Sequence, residues 1–291
     1  MILITLITVN YNHSNLTLDL MHSLNALNEE GFELIIVDNG SKEPFNTDIE
    51  VGFPYRVVHT GSNLGFAGGN EVGMKLAKGE YLYLINNDTE IHMPFVEPIV
   101  STFKKYPNLG MLSTIIRFYD TRLLQYAGAT NLSSITLRNE GIGSGAKDSS
   151  PYKGFRETGF IHGASVVVPK QVYERVGGMW EPFFLYYEEY DWCARIKQAG
   201  YKVGVLGDVE ILHKESASVG RMSPLKIRYM TRNRILFARR NVKLFWPITV
   251  VYLVFIVGVR DVIRYVITGQ FELVLPLLKG TLLGLSTRAG V

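Results

Sequence analysis

The turn Asn86-Asn87-Asp88 puts a carboxylate directly after the apolar run at residues 81–85. Open α/β sheets bind ligands at the carboxyl ends of their strands, so a polar group there is well placed for chemistry. Asp88 could hold a divalent cation, because Mg²⁺ needs only one or two protein carboxylates and completes its shell with water and phosphate oxygens. Taken alone, the same turn reads as a helix cap. The segment Asn63-Leu64-Gly65-Phe66-Ala67-Gly68-Gly69-Asn70 precedes a helical pattern. Glycines there would let a backbone approach a phosphate, and the helix N-terminus would offer it amide donors. The spacing is not Gly-x-Gly-x-x-Gly and no P-loop lysine follows, which argues against a nicotinamide or ATP site.

Further groups could complete such a site. Asp38, in Asp38-Asn39-Gly40-Ser41, could accept the imide N–H of a uracil or thymine ring while Tyr11 stacks on that ring; in isolation the segment is only a good turn. Glu188, Glu189 and Asp191 are the densest carboxylate cluster, set among Phe183, Phe184, Tyr186, Tyr187 and Trp192. Crowding and apolar neighbours raise carboxyl pKa values, so one of these acids could take a proton from a hydroxyl near neutral pH. The plainer reading is negative charge in the first turn of a helix. A glycosidase pair would leave the phosphate-type features without a role. His213 is either a structural histidine or a second metal ligand.

These groups need a scaffold, and the first half of the chain supplies one. Residues 2–9, 34–37, 55–58 and 81–85 read as strands, with helical spacing at 16–27 and 66–78. Alternation of this kind predicts a largely parallel sheet covered on both faces. Residues 117–158 read as loops and short strands that include a lid. Order returns at 159–168, and a helix opens at Glu188 and stops at Gly200. The nucleotide-binding half is expected at 1–115 and the acceptor-binding half at 116–218.

The chain of 291 residues is 47% hydrophobic and 20% charged, enough for one large domain with an appendage and too apolar for disorder. A single cysteine, Cys193, suits a reducing compartment, and the apolar start lacks a basic n-region, so a cytoplasmic protein without a signal peptide is expected. The net charge of +3 hides a bias: no Asp or Glu occurs from Ser216 to Arg260, where Arg221, Lys226, Arg228, Arg232, Arg234, Arg239, Arg240, Lys243 and Arg260 lie. Within that stretch, residues 244–259 are sixteen without a charge, just short of a usual span of roughly 17–25. Residues 261–278 are amphipathic. A basic and amphipathic helical region at 219–291, lying on an anionic membrane surface, is therefore expected. No nucleic-acid-binding signature accompanies the charge.

The ordered set of segments resembles the family-2 glycosyltransferases, which have the GT-A fold, and in particular their bacterial rhamnosyltransferase-like branch. The resemblance runs over residues 3–240, through Val9-Asn10-Tyr11-Asn12, the Asp38, Asn63 and Asp88 segments, Gly163-Ala164-Ser165, the aromatic-acidic stretch at 184–192, His213 and Arg232-Asn233. It implies a Rossmann-like, mostly parallel α/β sheet flanked by helices, with a membrane-associating tail. It implies that Val9, Tyr11, Asp38, Asn63, Gly65, Phe66, Gly69, Asn70, Asn87 and Asp88 line a dTDP- or UDP-sugar. Asp88, helped by His213, would hold Mg²⁺ or Mn²⁺. Glu189 would be the catalytic base beside Glu188, with Asp191 orienting the acceptor and Gly163, Ala164, Trp192 and Arg232 lining its site. The metal turn reads Asn-Asn-Asp where many relatives have Asp-x-Asp, and the base position holds Glu where many have Asp. The expected reaction is inverting transfer of a sugar, rhamnose foremost, to a saccharide or lipid-linked acceptor in bacterial cell-surface polysaccharide synthesis, at the cytoplasmic face of the plasma membrane. The alternatives are a UDP-hexose or UDP-N-acetylhexosamine transferase, or a non-catalytic nucleotide-sugar-binding or membrane-adaptor protein. Homo-oligomerisation stays open.

Overall fold

The apolar runs at the start of the chain form the centre of the sheet. The computed structural model describes residues 1–46, 48–214 and 222–290. Strand β1 (Ile4–Asn10) lies between β2 (Phe32–Asp38) and β4 (Tyr81–Ile85), and β3 (Tyr55–His59) flanks β2, all in parallel. Side chains alternate between two cores. Ile4, Leu6, Leu34, Ile36 and Tyr83 pack on one face, and Ile7, Ile35, Val37, Leu82 and Leu84 on the other. Because both faces are covered, these strands are apolar at every position rather than at every second one. Helix α1 (Ser14–Ala26) closes the first face through Leu20, Met21 and Leu24. Helix α2 (Gly65–Leu76) closes the second through Ala67 and Met74.

Beyond β4 the sheet becomes mixed. A short strand, β5 (Thr89–Ile91), leads into α3 (Val96–Lys105) and the long β6 (Leu109–Phe118). Then come β7 (Leu124–Tyr126), β8 (Phe155–Glu157), β9 (Ser165–Pro169), α4 (Lys170–Val176), α5 (Glu188–Gln198) and β10 (Lys202–His213). The order is β3-β2-β1-β4-β9-β6-β10-β5, with β7 beside β6 and β8 beside β10. Strand β9 runs antiparallel to β4, so residues 162–164, just before it, arrive at the same edge as the Asp88 turn. Strand β10 is antiparallel to β5 and pairs His213 with Thr89. The segment expected as loops and short strands contributes β7 and β8 to the sheet and folds back through the Ala129–Gly141 bridge.

The expected boundary at 218/219, and Arg221, lie outside the described residues. Helix α6 (Pro224–Asn241) begins at an N-cap Ser223, whose hydroxyl accepts from the Lys226 amide, with Pro224 in the first turn. It buries Ile235, Leu236, Phe237 and Ala238 in a core shared with Phe183 and Tyr187, so it packs directly against the segment that leads into α5. Next come α7 (Trp246–Val251), a π-helical stretch (Tyr252–Gly258) and α8 (Val259–Ile267), then α9 (Val274–Ser286). Gly280 and Gly284 let α9 pack on the backbone of α6 near Arg228 and Arg232, where a Cβ would meet carbonyl oxygens at 2.5 and 2.9 Å. Among the described residues no helix is long and apolar enough to cross a membrane. Phe255, Ile267 and Leu282 nonetheless remain 65%, 79% and 67% exposed.

Candidate active site

A cavity of about 320 Å³ opens at the carboxyl ends of β1 and β4. Its floor is built by the pairing of β5 with β10, which brings His213 against the Asp88 turn; the Lys214 amide donates to the Asp88 carbonyl at 2.8 Å. The His213 Nδ1 lies 2.8 Å from Gln125 Oε1, and its Nε2 lies 3.3 Å from Asp88 Oδ1. With Gln125 accepting, the imidazole proton sits on Nδ1 and the Nε2 lone pair faces a carboxylate oxygen. Two electron-rich atoms at that distance require a proton or a cation between them. Asp88 Oδ1 and Asn86 Oδ1 are both buried without a hydrogen-bond partner. Buried polar atoms are ordinarily satisfied, so these acceptors fit a positive group. Among the described residues no set of three His, Cys, Asp or Glu side chains converges on a metal position. Two protein ligands, with an amide oxygen nearby, fit a hard cation that also binds water and phosphate.

His162 adds to this floor. Its ring stands edge-on to His213, 5.9 Å away, and its Nδ1 accepts from the Ala164 amide at 3.1 Å. Burial first, and then the neighbouring His213, press its pKa down to about 3, with Asp88 opposing weakly, so it is a neutral imidazole. Neither His162 nor Gln125 was anticipated, since no spacing links them to Asp88.

The opposite wall is lined by Val9, Tyr11, Asn39, Asn63, Gly65 and Phe66. Asn39 organises it: Oδ1 accepts from the Leu64 amide at 3.0 Å, and Nδ2 donates to Gly65 O at 3.0 Å and to Asn63 Oδ1 at 3.2 Å. Asn87 also lines the cavity, with its amide donating to Thr17 Oγ1 at 3.1 Å. Asp38 departs from expectation. It is 2% exposed, does not line the cavity, and is fully engaged by Asn10, Ser41, His59 and the Phe45 amide. Burial alone would raise its pKa, but those hydrogen bonds outweigh it and hold the carboxyl below the usual range. No oxygen is free for a base, so Asp38 shapes the turn that carries Asn39.

The glycine-rich segment also departs. Gly65 adopts φ +74°, and a Cβ there would lie 2.3 Å from the Phe184 carbonyl. That carbonyl accepts from the Phe66 and Ala67 amides, so the first amides of α2 are closed by the protein's own chain rather than left for a phosphate. Gly69 is small for packing: a Cβ would press on Val9 at 3.0 Å. Asn70 is buried and bonds back to Phe66 O, away from the cavity.

The aromatic segment before α5 forms a third side. Phe184, Tyr186 and Tyr187 have φ of 66°, 69° and 73°, each in the left-handed region. Such residues cost on the order of 1–2 kcal/mol each and need external support. Asn233 of α6 supplies it, its buried amide donating to the carbonyls of Phe183, Leu185 and Tyr186 at 2.8 Å each. The result turns Phe184, Leu185 and Tyr186 into the cavity and brings in Lys226 of α6, whose Nζ lies 5.8 Å from the Tyr186 ring. Lys226 makes no ion pair among the described residues.

Glu188 and Glu189 open α5 behind this segment. Each has a buried Oε2 with no partner. Burial drives the Glu188 pKa well above its usual value, with Glu189 adding repulsion, and burial pushes Glu189 up to about 7 against the helix-start amides of Glu189 and Tyr187. Glu189 does not line the cavity itself but packs toward Gly163, at 3.6 Å from where its Cβ would be, one residue from His162. Ala164 is buried beside it and donates to His162. Asp191 does not join them. It is wholly buried, and its carboxylate is consumed by Arg195 at 2.7 Å, Arg240 at 2.8 Å and Asn241 at 2.9 Å, tying α5 to α6. Trp192 is a core residue donating to Gly177 O, and Arg232 binds Pro182 O and Asn233 outside the cavity. The positions of these three answer for the fold rather than for an acceptor.

Comparison with known proteins identifies the family and the fold. Residues 5–173 match the family model for glycosyl transferase family 2. The chain is 24% identical over 270 residues to a low-salt glycan biosynthesis hexosyltransferase, Agl10, of Haloferax volcanii, covering 89% of this chain and 84% of that protein. It is 23% identical over 225 residues to an N-acetylglucosaminyl-diphospho-decaprenol L-rhamnosyltransferase of Mycobacterium tuberculosis, covering 68% of this chain and 72% of that one. Among solved structures it resembles the mannosyltransferase PcManGT of Pyrobaculum calidifontis in complex with GDP-Man and Mn²⁺, with a TM-score of 0.59 at 14% identity over 97% of this chain and 87% of the other. The strand order, the site at the ends of β1 and β4, and a family match across more than half the chain converge: the protein belongs to glycosyl transferase family 2 and is a glycosyltransferase with the GT-A fold.

Proposed function

We propose that the protein is an inverting, divalent-metal-dependent glycosyltransferase that moves rhamnose from dTDP-rhamnose to a lipid-linked saccharide. The observation that carries this reading is the pair of buried acceptors without a partner, Asp88 Oδ1 and Asn86 Oδ1, set beside His213 on the floor of the cavity. Asp88 and His213 would hold Mg²⁺ or Mn²⁺. When bound, the metal neutralises charge on the departing diphosphate. Lys226, the cation that α6 brings into the cavity, meets the same diphosphate. Tyr11 supports the base, and Asn39 and Asn63 hold the adjoining wall. Glu189, with a pKa raised to about 7, takes the proton of the acceptor hydroxyl. That oxygen then attacks the anomeric carbon as the bond to diphosphate breaks, inverting the centre. The rhamnosyl and lipid-linked specificity is supported by the Mycobacterium relative, and the exposed apolar side chains of α7 to α9 support docking on the cytoplasmic face of a bacterial membrane.

The test is a donor panel, dTDP-rhamnose against UDP-hexoses, UDP-N-acetylhexosamines and GDP-mannose, scored by thermal shift with and without Mn²⁺ and then by transfer to a diphosphate-lipid-linked acceptor. The expected result is a Mn²⁺-dependent shift largest with dTDP-rhamnose. A larger shift and faster turnover with a UDP-sugar would overturn the rhamnosyl reading. A metal-independent shift would overturn the metal assignment.

A further inference from the structure

A second cavity, of about 270 Å³, lies between α6, the π-helical stretch, α8 and α9. The site described above does not use it, yet the two cavities share Lys226 as a common wall residue. Its walls carry two kinds of side chain. Ile227, Met230, Leu253, Val257 and Leu277 supply apolar surface, while Lys226, Arg234 and Arg264 supply cations. Arg234 reaches Thr136 O through Nη2, but its Nε is buried and has no partner. The Arg264 guanidinium rests on the Tyr265 ring at 4.9 Å. The one acid in the wall, Asp261, is already held at 2.7 Å by Arg260 and stands 3.9 Å from Arg264. The cavity therefore has an excess of positive charge, set in hydrocarbon.

We propose that this cavity binds the headgroup end of the acceptor lipid: a prenyl-type chain ending in a diphosphate, seated with its phosphates on Arg234 and Arg264 and its first isoprene units among the apolar walls. This inference rests on the lipid-linked acceptor reading given above. The chemistry fits an amphiphile better than a soluble nucleotide, because apolar walls offer little to a ribose or base. Two phosphates need more than one cation, and guanidinium groups suit phosphate oxygens. A cavity of this size cannot hold a whole polyprenyl chain. The remainder would run along the exposed apolar side chains of the same helices, Phe255, Ile256 and Ile267 among them, which are 65%, 60% and 79% exposed. Tyr187 faces this cavity and its neighbour Tyr186 faces the first, so a sugar on the diphosphate would pass Lys226 toward Glu189.

Farnesyl diphosphate carrying a photoactivatable group on its chain tests this on the full-length protein, with cross-links mapped by mass spectrometry. Cross-links are expected within residues 222–235 and 253–277, displaced by unlabelled farnesyl diphosphate but not by farnesol or inorganic diphosphate at equal concentration. Arg264→Gln should weaken probe binding about tenfold, with Arg264→Lys recovering part of it. Arg264 is half-exposed, so both variants should fold, which circular dichroism checks. Saturation unaffected by Arg264→Gln, equal competition by inorganic diphosphate, or no binding at all would overturn the proposal. Nucleotide-sugar binding, measured separately by thermal shift, keeps the two readings apart. Probe bound without any nucleotide-sugar leaves this site standing and removes the glycosyl donor, whereas donor bound without probe does the reverse.

Discussion

Asp38 ends β2 and Asp88 follows β4, the two parallel strands that flank β1, and the fold treats them in opposite ways. Asp38 receives donors from Asn10, Ser41, His59 and the Phe45 amide, whereas Asp88 Oδ1 is left facing His213 Nε2 with no donor of its own. The same contrast recurs within one helix turn, where Asp191 is saturated by Arg195, Arg240 and Asn241 while Glu189 keeps an unpartnered oxygen. A buried carboxylate with every lone pair taken stabilises the fold and has nothing left to offer a ligand. One buried with a lone pair free costs stability, and its retention is explained by binding or proton transfer.

The contrast predicts which substitutions remove chemistry and which remove the fold. Glu189→Gln should lower transfer by roughly 10²–10⁴-fold while nucleotide-sugar binding, read by thermal shift, persists. Turnover close to wild type would move the base to another residue. Asp88→Ala should lower metal-dependent transfer by on the order of 10²-fold, abolish the Mn²⁺-dependent thermal shift and leave the apo protein no less stable, because it relieves an unsatisfied carboxylate. Asp191→Ala should do the converse and destabilise by about 3 kcal/mol in denaturant titration, since it removes the shared partner of the partly buried Arg195 and Arg240. Asp38→Ala should cost about 1–3 kcal/mol and weaken nucleotide binding only indirectly, through the Asn39 turn. If Asp38→Ala abolished binding at unchanged stability, the division between satisfied and unsatisfied acids would fail.

The smallest effect concerns pH. The folded-state pKa values of Glu188 and Glu189 are raised by burial, so the native state holds protons that the unfolded chain releases near the ordinary carboxyl value of 4.5. The stabilisation associated with this protonation is complete below that value and is lost as pH rises through the folded pKa, which for Glu189 is about 7. Glu188→Gln should therefore raise the melting temperature at pH 8 relative to wild type and flatten its decline with rising pH. Transfer should run the other way in wild type, rising through about pH 7 as Glu189 loses its proton.

Much of this was legible in the chain itself. The strands β1, β2 and β4 were visible because a strand covered on both faces is apolar at every position, as at Leu34, Ile35, Ile36 and Val37. The Asp88 turn was visible because polar residues stop such a run abruptly, and the acidic start of α5 because three carboxylates in one helical turn are conspicuous. What local sequence could not carry was the assignment of partners. Asp38, Asp88, Glu189 and Asp191 are all carboxylates beside apolar runs, and nothing in their neighbours tells which will meet a donor. Those donors come from remote parts of the chain: Arg240 and Asn241 from α6, His213 through the pairing of β10 with β5, and Gln125 from β7. The role of α6 was hidden in the same way. Its arginines read as a membrane-facing charge run, while packing turns Asn233, Arg240 and Lys226 inward to brace the aromatic segment, saturate Asp191 and line the cavity. Periodicity and burial are local properties of a sequence and determine its elements. Hydrogen-bond saturation depends on which elements meet, so the tertiary structure alone decided which acids are structural and which are free to act.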